Sequence, residues 1–396
     1  MMTRPALPPA ERAELLDAVL PVLRQHAREV DLTAAFPTDN LAALRKSGLL
    51  GLLVPQRYGG LGGDLADLVE IAGELAAECL STAMIWAMHC QQVDVLLHHA
   101  SAPLRDRLLP RIAAGDVYLA SVTTEAGKGG HLLSADAAIT RQDDDLLIDR
   151  MAPVVTGGEY ADGFLITMRT SPDATAHEVS LVYADRDQLT LAGRGNWDPL
   201  GMRGTHSLGF SITGRVGADQ LLGEPGGFRA ITIESMVPAG HLGWAACWLG
   251  GARAAYAGLL RMLRSPDRPS SIDLGSPLVA ERLARIRLDL EAVSAYLHAA
   301  LAEVVTARRA GEPLSGTATQ LHLNSLKVLA AELTFQAVDR MVQVGGLGLA
   351  YRRDSPLPLE RVFRDLRSAS LNYANDRLLV TNGALCMMDT AVTLLR

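Results

Sequence analysis

Cysteine is scarce: the 396 residues hold four, Cys79, Cys90, Cys247 and Cys386, far apart in apolar, helical-looking surroundings. That spacing suits neither a disulfide framework nor a Cys-x-x-Cys metal pair, and it predicts reduced core residues in a cytoplasmic protein. The ten histidines are scattered apart from His98-His99. Neighbours on a helix point to different faces, and His-Glu-x-x-His is absent, so no metal site is expected. Charge of one sign never accumulates: 20% of residues are charged, the net charge is −7 and no run of like charges occurs. This leaves no electrostatic footprint for nucleic acid or an anionic membrane. No window of about 18 consecutive apolar residues is present. The start, MMTRPALPPAERAELLDAV, has no apolar stretch followed by small residues, so neither membrane insertion nor export is expected. Missing too is a Gly-x-Gly-x-x-Gly opening a helix after a strand, so any dinucleotide must be held otherwise than in a Rossmann crevice.

What is present is periodicity. Apolar residues recur at helical spacing through residues 1–115, interrupted by Val54-Pro-Gln-Arg-Tyr-Gly-Gly-Leu-Gly-Gly63, where proline and four glycines predict a tight loop with positive φ. Residues 116–229 change to short alternating or β-branched runs broken by Gly, Asp, Asn and Pro, which predicts an antiparallel β-domain. The helical period returns over 230–396 in four long stretches, predicting a four-helix bundle with an exposed connection at Ser265–Pro277. A chain of this length exceeds one core, in keeping with a mainly α protein of three domains around a central β-domain.

Several short motifs stand in order along this frame: the Val54–Gly63 turn; Ala120-Ser-Val-Thr-Thr-Glu125; Asp149 to Asp162 with its Val155-Thr-Gly157; Pro199-Leu-Gly-Met-Arg-Gly-Thr205; Gln343-Val-Gly-Gly-Leu-Gly348; and Glu360-Arg-Val-Phe-Arg-Asp365. Together they resemble the acyl-CoA dehydrogenase family along almost the whole chain. The resemblance implies FAD, with Ser121, Val122, Thr123, Thr124 and Glu125 and then Val155, Thr156 and Gly157 at the flavin edge. There, backbone amides stabilise the negative charge of reduction. It further implies that Gln343, Gly345 and Gly346 approach the FAD of a second subunit, hence a homodimer or homotetramer. Glycines would let the chain come close to phosphate or adenosine. For Arg203 and Arg364, an ion pair with carboxylates such as Glu360 or Asp365 is at least as good an expectation as ligand contact.

The chain departs from the family where the base should be. Dehydrogenation of a thioester needs a carboxylate to take the α-proton. Counting along the family motifs, the two usual positions fall on Tyr373 and Gly240. The nearest carboxylates are Asp376, which a continuous helix would bring to the face of Tyr373, and Glu234. Asp376 is the expected base, and Tyr373 a ligand-contacting residue. Two further departures are Arg264-Ser-Pro-Asp-Arg-Pro-Ser in place of an Arg-x-x-Phe-Gly element, and Gly130 and His131 in place of a serine and an aspartate. The expected function is α,β-desaturation of an acyl thioester carried by coenzyme A or an acyl-carrier protein. Flavin-dependent monooxygenation and a catalytically degenerate scaffold are the alternatives.

Overall fold

The computed structural model describes residues 6–127 and 131–394; Gly130 lies outside them. The first helical layer holds α1 (Pro9–Thr33), α2 (Thr38–Lys46), α3 (Leu65–Glu78), α4 (Leu80–His99) and α5 (Ala102–Ala113). Between α2 and α3 the expected loop forms, with Gly59 and Gly62 at φ 84° and 70°. The α3 start is a capping box: Asp64 accepts from Ala66 and Asp67, and the Asp67 carboxylate accepts from the Asp64 amide and from Ala6 and Leu7. Helix α4 is buried nearly all round from Leu80 to Leu96, because it runs through the centre of the core.

Two four-stranded sheets follow. One has the order β1 (Leu119–Val122), β4 (Gly163–Arg169), β5 (Val179–Asp185), β8 (Leu221–Leu222). The other has the order β2 (Thr140–Gln142), β3 (Asp145–Ala152), β7 (Gly209–Gly217), β6 (Leu189–Arg194). The domain is not wholly antiparallel, since β1 pairs with β4 in parallel, Leu119 opposite Gly163. The chain visits β2 and β3 of the other sheet between them, which supplies the long crossover that a parallel pair requires.

After α6 (Phe228–Ile231) a π-helical turn, Thr232–Met236, leads into α7 (Val237–Arg264), α8 (Pro277–Ala310) and α9 (Thr317–Leu349). Helix α10 (Leu359–Arg367) follows. The fourth long helix expected, over residues 368–396, is shorter: 368–374 form turns, with Tyr373 at φ 52°, and α11 spans Asn375–Cys386. The 351–358 connection ahead of α10 carries Pro356 and Pro358, which cannot continue a helix. Helices α3 and α7 cross closely: a Cβ on Gly250 would lie 2.6 Å from Gly73 Cα. Cys79, Cys90 and Cys247 are core residues as expected, whereas Cys386 is exposed on α11. Among the described residues one helix, α8, is long and apolar enough by length and composition to cross a membrane, and here it forms a wall of the bundle.

Candidate active site

The two flavin-edge segments come together at the ends of β1 and β3. Thr124 Oγ1 donates to Val154 O at 2.8 Å and accepts from Val154 N at 3.3 Å, tying the loop after β1 to the loop after β3. Beneath them Arg150, buried on β3, donates to Thr124 O at 3.0 Å and to Thr167 O, with Glu125 Oε1 3.3 Å away. Burial lowers this guanidinium to about 10 against the pull of Glu125 and Asp136. Glu125 is a brace as well: its carboxylate accepts from the amides of Asp136 and Ala137 at 2.8 and 2.9 Å. Arg150 was missed in the sequence, since an arginine on a strand reads as an outward-facing residue.

The expectation that the Val155–Gly157 backbone supplies amides to a cofactor needs correction at both ends. Val155 N donates to Leu208 O at 2.8 Å and Gly157 N to Thr205 O at 3.0 Å, so those donors are committed within the chain. Gly157 is required for another reason: at φ 61°, an added Cβ would meet Tyr118 Oη at 2.5 Å. Thr156 is the member left for a ligand. Its hydroxyl lies 3.0 Å from Ser207 Oγ, which lies 3.0 Å from Thr205 Oγ1, a row of hydroxyls that can donate or accept in turn. Ser207 was missed, and its only signal is its place two residues beyond the Leu-Gly-x-Arg-x-Thr motif. Thr123 and Thr124, in the loop after β1 that Arg150 braces, and Thr156 and Ser207, in the loops after β3 and before β7, suit the polar edge of a flavin.

On the bundle side, Tyr373 does not sit on a helix with Asp376. It ends the 368–374 turn in a left-handed conformation, while Asp376 is exposed in the first turn of α11. The shared helical face on which Asp376 was chosen is therefore not formed. Tyr373 packs into the start of α7, its ring 5.0 Å from Trp244 and 6.0 Å from His241, with its hydroxyl 4.0 Å from Met236 Sδ. Burial pushes the phenol above its ordinary value, making deprotonation harder still. His241 donates from Nδ1 to Leu323 O at 3.1 Å, and burial lowers it to about 3, so it is neutral. Its Nε2, like Trp244 Nε1, is buried with no hydrogen-bond partner among the described residues.

The second family position, Gly240, is filled from outside: the Gln91 amide from α4 lies where a Cβ would be, and its Nε2 donates to Met236 O at 2.6 Å. Glu234 is committed too, its carboxylate accepting from Leu314 N at 3.0 Å. The π-helical turn carries both Glu234 and Met236, and such turns inside helices are frequent at functional sites.

Gln343 and the two glycines stand at the far end of α9. Gln343 is exposed and donates to Asp339 at 2.8 Å, beside a groove of about 340 Å³ lined by Glu281, Arg285, Phe335 and Arg340. Gly345 has no free space, because a Cβ there would lie 2.6 Å from Ala350 Cβ; the expectation of ligand approach at this residue gives way to packing. Gly346 differs: at φ 63° and ψ −167° it breaks the helix and faces open space. Of the three residues expected to approach a ligand, only it and Gln343 face outward. Arg203 donates to Asp31 O and Asp198, and Arg364 grips Asp31 and Glu360, so both act as ties between domains. Among the described residues no group of three His, Cys, Asp or Glu side chains is placed to hold a metal ion.

Residues 12–116 match the family description "Acyl-CoA dehydrogenase, N-terminal domain" and residues 242–376 match "Acyl-CoA dehydrogenase, C-terminal domain". A probable acyl-CoA dehydrogenase of Mycobacterium leprae is 26% identical over 358 residues, 89% of this chain and 88% of that protein. The structure of butyryl-CoA dehydrogenase from Megasphaera elsdenii superposes with a TM-score of 0.82 at 19% identity, covering 98% of this chain and all of that one. Dibenzothiophene monooxygenase from Paenibacillus sp. A11-2 superposes with a TM-score of 0.81 at 22% identity, covering 97% and 99%, and it has also been solved with FMN and indole. Both helical ends are matched in sequence and 98% of the chain in fold, and this protein belongs to the acyl-CoA dehydrogenase family of flavoenzymes.

Proposed function

We propose that this chain is an FAD-dependent oxidoreductase that oxygenates a small organic substrate, rather than desaturating a thioester by α-proton abstraction. One observation carries this reading: neither family base position offers a carboxylate, and each is packed with other side chains, Tyr373 against His241 and Trp244, and Gly240 against Gln91. A general base must come within hydrogen-bond reach of its proton, directly or through one water. Asp376 is exposed and Glu234 is bound to the Leu314 amide, while neutral His241 is too weak a base at about 3.

Bound flavin supplies two-electron redox chemistry and, once reduced, reactivity towards O2. The chain's own part is to hold and exclude. Thr123, Thr124 and Thr156 would hold the flavin's polar edge, with Ser207 orienting the Thr156 hydroxyl. Met236, His241, Trp244 and Tyr373 form an aromatic and apolar face that keeps bulk water away and suits a planar or apolar substrate. Gln343 and Gly346 would serve the FAD of a second copy in a homodimer or homotetramer in the cytoplasm. Exposed Leu347, Tyr351, Leu371 and Val380 support such an assembly.

A second reading, α,β-desaturation of an acyl thioester on coenzyme A or an acyl-carrier protein, is favoured by the likeness to the Mycobacterium leprae relative. It would require Asp376 to swing inward with the 368–374 turn. The deciding experiment mixes the yellow holoenzyme anaerobically with a panel of acyl thioesters, then follows O2 consumption after external reduction. Oxygenation predicts no bleaching by thioesters and rapid O2 uptake coupled to product. Bleaching by any thioester restores the desaturase, and a colourless protein leaves a scaffold.

A further inference from the structure

Lys327 on α9 is fully buried. Its Nζ donates to Asn375 Oδ1 at 2.7 Å, Ala369 O at 3.0 Å and Tyr373 O at 3.2 Å. Three acceptors match the three N–H groups of an ammonium, one more than a neutral amine can serve. All three belong to the short segment 369–375 that carries Tyr373. The ring of Trp248 on α7 lies 5.8 Å from the same nitrogen, and Asn375 donates in turn to Glu332 Oε1 at 3.1 Å, pinning the segment to α9 a second time. Tyr373 itself is held at φ 52°, a strained conformation for a non-glycine residue that persists only where surroundings over-determine it.

We propose that Lys327 is a positioning residue whose ammonium clamps residues 369–375, and so sets the Tyr373 ring between His241 and Trp244. The proposal rests on reading the Tyr373 face as the substrate side. The groups that face the ammonium are Glu332 on its own helix, neutral His241 and the Trp248 ring from α7, and the three acceptors of the segment.

A consequence is a pH response. Burial lowers Lys327 to about 7, with Glu332 opposing. Below that value the ammonium serves all three acceptors; above it the amine, still buried, leaves one acceptor unserved and the segment loosens around it. Global stability moves the other way. Between about 7 and 10.5 the unfolded chain binds the extra proton, so this group makes the whole fold more stable as pH rises. Local loosening with rising global stability is a pattern that simple packing does not produce.

The test uses the holoenzyme, with amide hydrogen exchange of residues 369–375 measured against α8 as an internal reference and tryptophan fluorescence titrated over the same pH range. Trp248→Phe assigns the fluorescence signal. In the wild type, protection of 369–375 should fall about tenfold as pH rises through about 7, with a fluorescence step at the same midpoint. Lys327→Met should abolish the step and leave the segment weakly protected at every pH, with α8 within about twofold of wild type. Asn375→Asp sets a carboxylate on the ammonium and should raise the midpoint by about one unit or more. Retained protection in Lys327→Met overturns the clamp. So does a uniform loss that includes α8, or an unmoved midpoint in Asn375→Asp. A clamp that behaves as expected in a protein inert towards both O2 and thioesters would sink the functional reading alone.

Discussion

Arg364 on α10 grips Asp31 near the end of α1 across 333 residues, Nη1 to Oδ1 at 2.9 Å and Nη2 to Oδ2 at 2.6 Å. The same guanidinium reaches Glu360 at 2.8 Å and the Leu200 carbonyl at 3.0 Å, so one side chain joins the first helical layer, the β-domain and the bundle. Breaking one partner of a buried pair leaves a poorly compensated charge. Asp31→Asn should therefore lower stability by about 3 kcal/mol, the low end for such pairs because Glu360 remains. Urea denaturation measures it; an unchanged midpoint would show the tie to be redundant. Removing the exposed Arg352–Asp354 pair should give no measurable shift.

Asp365, the next residue, is buried, and its Oδ1 accepts from Met202 N at 2.5 Å. Burial raises this carboxyl from 3.8 to about 6, although Met202 N, Arg361 and Arg364 oppose the shift. A raised folded value means that its stabilising contribution is complete below 3.8 and is lost as pH rises through about 6. Asp365→Asn has no such loss. Its stability relative to wild type should rise between pH 4 and pH 7 by up to about 3 kcal/mol. A parallel pair of stability–pH curves would refute the assignment.

Substitution at Asp376 separates the two functional readings. Under oxygenation, Asp376→Asn leaves flavin content, reduction and O2 uptake as in the wild type, because the side chain is exposed. Under desaturation the same change should cost on the order of 10²–10⁴ in the rate of flavin reduction by thioester. Stopped-flow absorbance distinguishes them in one experiment.

Gly345 and Gly346 should respond differently although they are adjacent. Gly345→Val forces a side chain into Ala350 and should lower the melting temperature with or without flavin. Gly346→Ala meets open space and carries only backbone strain, roughly 1–3 kcal/mol at its φ and ψ. If this loop serves FAD, Gly346→Ala should reduce flavin retention on gel filtration by more than its small thermal shift explains. Full retention would make it a helix end alone.

Periodicity determined the architecture because helices and strands record their buried faces every 3.6 or two residues in the residues themselves. The α1–α5 layer, the strand-rich middle and the long helices α7, α8 and α9 all followed from it, as did the glycine loop at Gly59 and Gly62. Ordered motifs such as Pro199–Thr205 and Glu360–Asp365 carried the family. Tertiary structure decided the rest. The parallel β1–β4 pair depends on which strands meet, and local pattern does not encode that. Tyr373 and Asp376 parted because Tyr373 is left-handed and the helix begins only at Asn375, where Lys327, far away in sequence, donates to Tyr373 O and Asn375 Oδ1. Gly345 looked like a place for a ligand until Ala350 filled it. Arg150, Gln91 and Ser207 entered the site only through packing, since whether a polar side chain is buried, and against what, is a property of the assembled fold.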